Sequence, residues 1–199
     1  MKLKYKFNPY TFARVSAMKS LLLQKQDYDK IMKMSLSEIT KFLQENVYGE
    51  EINLLSTKYS GLKLLENSLN KHMARISAKL RLISDPSIRY LMDQYLKRYD
   101  FLNVKTLLRA KALGIREEGL NEILLLLGSL NEDKLKKSYR KDAREILKVL
   151  ALDVSQFKTA LEKYEKDKEL LEIESLLDYH YYLDSVAFAQ NIPKQGRLF

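Results

Sequence analysis

Leu62, Leu65, Leu69, Met73, Ile76, Leu80 and Ile83 follow one another at a mean spacing of 3.5 residues, the period of a long helix packed lengthwise against another. Punctuation on either side agrees. Asn8-Pro9 sets a capping side chain before a proline at the first helical position and predicts a helix running to about Gln26. Ser35 with Glu38 three residues on is a capping-box pattern, and Ile39, Phe42 and Leu43 supply the buried stripe of the short helix it opens. Asp85-Pro86 repeats the cap-plus-proline device, with Ile88, Leu91 and Tyr95 carrying a helix towards Tyr99. Gly114 and Gly128 each follow an apolar stretch, as left-handed helix ends do. A helix from about Asn131 to Leu150 is predicted next, then a long one capped by Asp153 and containing Phe157, Leu161, Tyr164, Leu171 and Leu177. Alternating stretches are too short for strands, and neither Asn-Gly nor Asp-Gly occurs to turn a hairpin. With six Gly and three Pro among 199 residues, the chain has few breakers. The expected fold class is all-α.

Comparison of the chain with itself reveals a repeat. LENSLNKH (Leu65 to His72) aligns with IESLLDYH (Ile173 to His180) at an offset of 108, and Pro86 and Pro193 follow at nearly the same distance. Repetition on this scale signals stacked copies of one supersecondary unit. A second copy would reach its counterpart of Asn103 near position 211, beyond Phe199, so the chain is expected to stop partway through a unit.

Composition narrows the chemistry. Cysteine is absent, which excludes disulfides, thiolate metal sites and cysteine nucleophiles and fits a cytosolic setting. The longest apolar run, Ile123 to Leu127, is five residues where a membrane span needs about 20. The N-terminal MKLKYKFNPY lacks the apolar core of a signal peptide, so the protein is expected to stay where it is made. The six glycines never cluster as a phosphate-binding loop requires. His72 and His180 lack the i, i+4 partner of a zinc helix and read as packed or surface histidines. Glu50-Glu51 and Glu117-Glu118 read as helix N-terminal charges and loop residues, not as an acid and base pair. Tyr179, Tyr181 and Tyr182 around His180 point in different directions on a helix and read as packing. Neither a cofactor nor a metal is expected, and no catalytic group is assigned.

The formal charge of +9 is concentrated. Lys71 to Lys111 holds ten Lys/Arg against three Asp, and Met1 to Lys30 seven against two. Such blocks meet nucleic acid, an anionic membrane surface or an acidic protein, or are simply solvated faces. Without a helix-turn-helix or RNA-binding signature, and with the cations spread over several helix faces, a basic all-helical nucleic-acid-binding or scaffold protein is the alternative and not the favoured reading.

Three segments in order resemble one family. FARVSAMKSLLL (Phe12 to Leu23), YDFLNVKTLLRAKALG (Tyr99 to Gly114) and EIESLLDYHYY (Glu172 to Tyr182) are similar to signature stretches of the C subunit of rotary V-type and A-type ATPases, the counterpart of the eukaryotic d subunit. The resemblance implies repeated helical bundles of a funnel-like type, here truncated: a first bundle over 1–114, a second over 115–199 ending within an incomplete repeat, and the family's C-terminal third missing. It implies a non-catalytic central-stalk adaptor that links the rotor shaft to the membrane proteolipid ring and couples ATP hydrolysis or synthesis to proton or sodium transport. Its partners would be other rotary-ATPase subunits, with no small-molecule substrate, on the cytoplasmic face of the membrane. The motif positions are Arg14, Met18, Asp100, Asn103, Lys105, Arg109, Glu174 and Asp178. They are expected to fix helix packing through ion pairs and hydrogen bonds; alternatively Lys105, Arg109 and Lys111 face a partner.

Overall fold

A computed structural model describes residues 8–191; Pro193 of the repeat and the first seven residues of the N-terminal basic segment lie outside them. Among the described residues every regular element is helical, which makes the protein all-α. They fall into two compact units, 8–85 and 86–191.

The first unit holds α1 (Pro9–Lys19), α2 (Lys25–Ile31), α3 (Leu36–Gln44), α4 (Gly49–Leu55) and α5 (Gly61–Ile83). Its core is small: Leu43, Ile52, Leu64 and Leu65 are buried, and Ile31, Ile39, Phe42 and Leu55 pack around them. The helix predicted to reach Gln26 ends at Lys19. Ser20 Oγ donates to the Ala17 carbonyl at 2.8 Å, and the Asp27 carboxylate accepts the Gln24 N–H at 2.8 Å, so local side-chain bonds stop one helix and start the next. The Ser35 capping box forms as read, with the Ser35 N–H on Glu38 Oε2 at 2.7 Å.

The second unit holds α6 (Pro86–Ala112), α7 (Glu132–Tyr139), α8 (Ala143–Lys148), α9 (Lys158–Asp167) and α10 (Leu171–Gln190). The core is larger here, with Val104, Leu107, Leu108, Leu120, Leu135, Ile146, Leu147, Phe157, Leu161, Ile173 and Leu177 fully or almost fully buried. α6 runs well past Tyr99, and the expected bundle boundary at 114/115 falls in the turn that follows it. Gly114 there has φ +66°, the left-handed helix end read from sequence. The single helix predicted over 131–150 is two, because Asp142 turns its carboxylate onto the Glu145 N–H at 2.9 Å and caps α8 afresh. The long helix predicted from Asp153 is likewise divided: Lys168 adopts φ 59° at the end of α9 and its N–H bonds the Tyr164 carbonyl at 2.9 Å, a left-handed stop made without glycine.

The repeat extends beyond the eight residues that disclosed it. Three short helices and a long one, α2–α5, recur as α7–α10. Ser35 and Glu38 at the start of α3 match Asp142 and Glu145 at the start of α8. His72 lies against Tyr48, the residue before α4, with centroids 4.5 Å apart, and His180 against Phe157, the residue before α9, at 5.4 Å. The two copies differ in what covers their long helices. Leu177 of α10 is 0% exposed, whereas its counterpart Leu69 of α5 is 41% exposed. Leu177→Ala is therefore expected to cost about 3 kcal/mol through the cavity it leaves, and Leu69→Ala under about 1 kcal/mol. Urea unfolding followed by circular dichroism measures both; similar losses would mean that the two positions are covered alike.

Candidate functional site

Most of the motif residues come together on α6 and its neighbours. Asp100 is 2% exposed, and a buried carboxylate persists only when donors surround it. Its donors come from one loop: the Ser129 N–H at 2.9 Å, the Ser129 hydroxyl at 2.8 Å and the Leu130 N–H at 3.0 Å. Three residues along the helix, Asn103 donates to the Leu125 carbonyl at 2.9 Å and accepts the Leu125 N–H at 2.8 Å. An amide side chain thus pairs with a backbone amide on both edges. Together Asp100 and Asn103 dock the 124–130 loop against α6. Gly128 permits the approach, since a Cβ there would lie 2.1 Å from the Asp100 carboxylate; its φ is not positive, so it is not the left-handed helix end read from sequence.

Outside this clamp runs a seam between α6 and α10. Gln94 and Lys97 donate to Asp184 at 2.6 and 2.8 Å. Phe101 meets Tyr181 edge-on, with centroids 5.6 Å apart. Lys105 reaches Asp178 at 2.5 Å, and Arg109 grips Glu174 with two bonds of 2.6 and 2.5 Å. As α6 numbers rise those of α10 fall, so the helices are antiparallel and in one register. The sign of charge is segregated: α10 carries Glu172, Glu174, Asp178 and Asp184 with no Lys or Arg, while α6 supplies the cations. Hydrogen bonding to Glu174 pushes the Arg109 guanidinium pKa further up. Burial pushes the Asp184 carboxyl up, but bonds from Gln94 and Lys97 outweigh it and hold it below the usual range. Lys111 donates to the Tyr139 carbonyl at 2.8 Å, so Lys105, Arg109 and Lys111 are all engaged within the unit.

Arg14 and Met18 lie elsewhere, on α1. The guanidinium of Arg14 sits over the Tyr10 ring at 5.6 Å. Met18 lines a half-open groove of about 490 Å³ with Leu21, Leu22, Val47, Leu69, Met73 and Ile76. One wall is polar and was not foreseen. Glu51, 2% exposed, takes the Arg75 Nε–H in a short bond, a second Arg75 bond at 3.3 Å, and lies 3.1 Å from His72 Nδ1. Glu50 adds an ion pair to Arg75 at 3.4 Å. Burial pushes the Glu51 carboxyl up, but the bonds from Arg75 and His72 prevail and lower it. Glu50-Glu51 does stand in the first turn of α4, yet a helix-end reading says nothing of which carboxylate turns inward. The signal available was the repeat: at an offset of 109 the buried Ile52 matches the buried Leu161, and Glu51 falls opposite buried Ala160.

Among the described residues no three His, Asp or Glu side chains converge as metal ligands would, and no helix is long and apolar enough to cross a membrane. What the arrangement does chemically is hold backbone in place.

Two probes, one steric and one by pH, test that holding. Gly128→Ala is expected to lower unfolding free energy by about 2–3 kcal/mol, because the methyl group must displace a buried carboxylate from its donors. Gly114→Ala, with nothing within 4 Å of the added Cβ, costs only about 1 kcal/mol for its positive φ. The second probe uses pH. A Glu51 pKa lower when folded than unfolded means that its contribution is complete above the unfolded value near ~4.3 and is lost as pH falls through the folded value. Glu51→Gln is expected to lose about 1–2 kcal/mol at pH 7 and to flatten the stability profile below about pH 4; an unchanged acid limb in urea titrations would remove Glu51 from the account.

Comparison with known proteins gives the family. Residues 11–198 match the family model described as ATP synthase (C/AC39) subunit. The chain is 39% identical over 179 residues to the A-type ATP synthase C subunit of Methanosarcina barkeri, covering 87% of this chain and 48% of that protein. It is 38% identical over 196 residues to the C subunit of the Methanosarcina mazei A-type ATP synthase, covering 96% and 52%, and 35% identical over 187 residues to that of Methanococcoides burtonii, covering 94% and 52%. The chain spans about half the length of these curated relatives. It belongs to the ATP synthase (C/AC39) subunit family.

Proposed function

We propose that this chain serves as a non-catalytic adaptor in the central stalk of a rotary A/V-type ATPase, between the rotor shaft and the membrane proteolipid ring. In that role it carries torque, coupling ATP hydrolysis or synthesis in the head to proton or sodium transport in the ring, and sits peripherally on the cytoplasmic face. The observation that carries the reading is the α6/α10 seam. A torque carrier needs helices that neither slide nor unwind under load, and the seam locks two rods of 27 and 20 residues, about 40 and 30 Å long, by paired charges spaced along both. Exposed ion pairs add little stability singly, but several in one register oppose a slip of either rod. The loop clamp at Asp100 and Asn103 fixes the ends of the short helices to the same rod. Family membership supports the reading, since the relatives matched are subunits of A-type ATP synthases.

Co-expression with the shaft and proteolipid-ring subunits of an A-type ATPase tests it. The chain is expected to co-elute with both in detergent. A Lys105→Glu/Arg109→Glu variant, which repels α10, is expected to lower ATP-driven ion pumping at least threefold while ATP hydrolysis by the head persists. A chain that elutes apart from both of those partners would refute the adaptor role.

A further inference from the structure

The seam between α6 and α10 pairs its cations one by one, and a further cation on the same side of α6 is left over. Asp184 takes Lys97, Asp178 takes Lys105 and Glu174 takes Arg109. Arg98 stands four residues after Gln94 and seven before Lys105, hence on the helix face that bears them. Its guanidinium meets no carboxylate among the described residues. It lies over the rings of Tyr95 and Tyr99, 5.7 and 5.5 Å from their centroids, and reaches the Tyr95 hydroxyl at 3.4 Å. An arginine held against rings of its own helix is oriented in advance and keeps most of its N–H donors unused.

A cleft of about 370 Å³ opens beside it, lined also by Phe101, Lys105, Asp178, Tyr181 and Tyr182. Phe101 and Tyr181 close on each other edge-on. Tyr182, read from sequence as packing, meets Tyr181 at 5.4 Å yet is 64% exposed. One arginine and one open tyrosine therefore share a cleft whose other charges, Lys105 and Asp178, are paired at 2.5 Å.

Those charges decide what the cleft takes. Lys105 and Asp178 cancel, which leaves the single positive charge of Arg98. A monoanion neutralises it, whereas a phosphate, close to doubly charged at neutral pH, brings surplus negative charge beside Asp178. A guanidinium fork matches the two oxygens of a carboxylate, and the aromatic surface next to it suits an apolar body. The volume is at the small end for a ligand pocket, enough for one side chain and not for a large cofactor.

We infer that this cleft binds a carboxylate carried on an aromatic or branched apolar group, with Arg98 taking the two oxygens and Tyr182 covering the apolar part. A free organic acid and the C-terminal residue of another chain share this chemistry. The site is independent of the stalk proposal, since neither Arg98 nor Tyr182 belongs to the paired charges of the seam.

The test is titration of the full chain with N-acetylphenylalanine and with its uncharged amide, read by backbone amide NMR shifts. The acid is expected to bind with a dissociation constant on the order of 1 mM and at least tenfold more tightly than the amide, with shifts centred on Arg98 and Tyr182. Arg98→Met is expected to weaken the acid at least tenfold, Arg98→Lys to restore only part of the loss because an ammonium has no fork, and Tyr182→Ala to weaken it at least threefold. Circular dichroism verifies that each variant keeps its helix content. A short peptide ending in phenylalanine with a free carboxylate supports a protein chain end as the source if it binds more tightly than the acid, and a small acid if it binds less tightly. The inference is overturned if acid and amide bind alike, if acetate or inorganic phosphate binds as tightly as the acid, if Arg98→Met binds as the unaltered chain does, or if no shift appears around Arg98 up to about 10 mM.

Discussion

A carboxylate removed from water must be met by hydrogen-bond donors, and the second unit is built around that requirement at Asp100. Its three donors belong to Ser129 and Leu130, so the loop that leads into α7 has one place to be. Asn103 repeats the operation on Leu125 with both edges of its amide. Because both side chains stand on α6 between the apolar residues that make the core, loop position and core packing are set by the same stretch of helix. Loss of either bond set would strand polar groups in an apolar setting, a larger cost than the bonds themselves contribute.

The seam to α10 works at a different level. Its members are partly exposed, so each pair adds little to stability. Their value is in specifying register: Lys97, Lys105 and Arg109 meet Asp184, Asp178 and Glu174 in reverse order, and a slip of one helical turn, three or four residues, leaves at most one of the three cations opposite an acid.

The two units also show how one helical plan diverges. Glu51 occupies a place where the other copy has Ala160, and both are buried. The charge is kept there by Arg75 and His72, and the long helix that provides them is open to solvent where its counterpart is covered. The same repeat thus closes over a seam of paired charges in one unit and leaves Leu62, Leu69 and Met73 of its long helix exposed in the other.

Much of this was legible along the chain. Periodicity determined that the protein is all-α and located α5 almost to the residue, although Leu62, Leu69 and Met73 of the stripe that disclosed it are exposed and not packed lengthwise as read. Capping chemistry placed the starts of α1, α3 and α6, since those bonds are local. The repeat and the Asp100, Asn103, Lys105, Arg109, Glu174 and Asp178 motifs were visible as strings. Only the tertiary structure decided what they touch: that Asp100 and Asn103 serve a loop more than 20 residues away, that α6 and α10 are antiparallel partners, that Gly128 yields its Cβ to a carboxylate, and that Glu51 is turned inward. Helix breaks at Lys19 and Arg140 use local side-chain bonds, but a capping residue in the sequence does not by itself say whether its bond or one more helical turn prevails. Local pattern records that a helix has an apolar face; it does not record whether that face is covered, or by what.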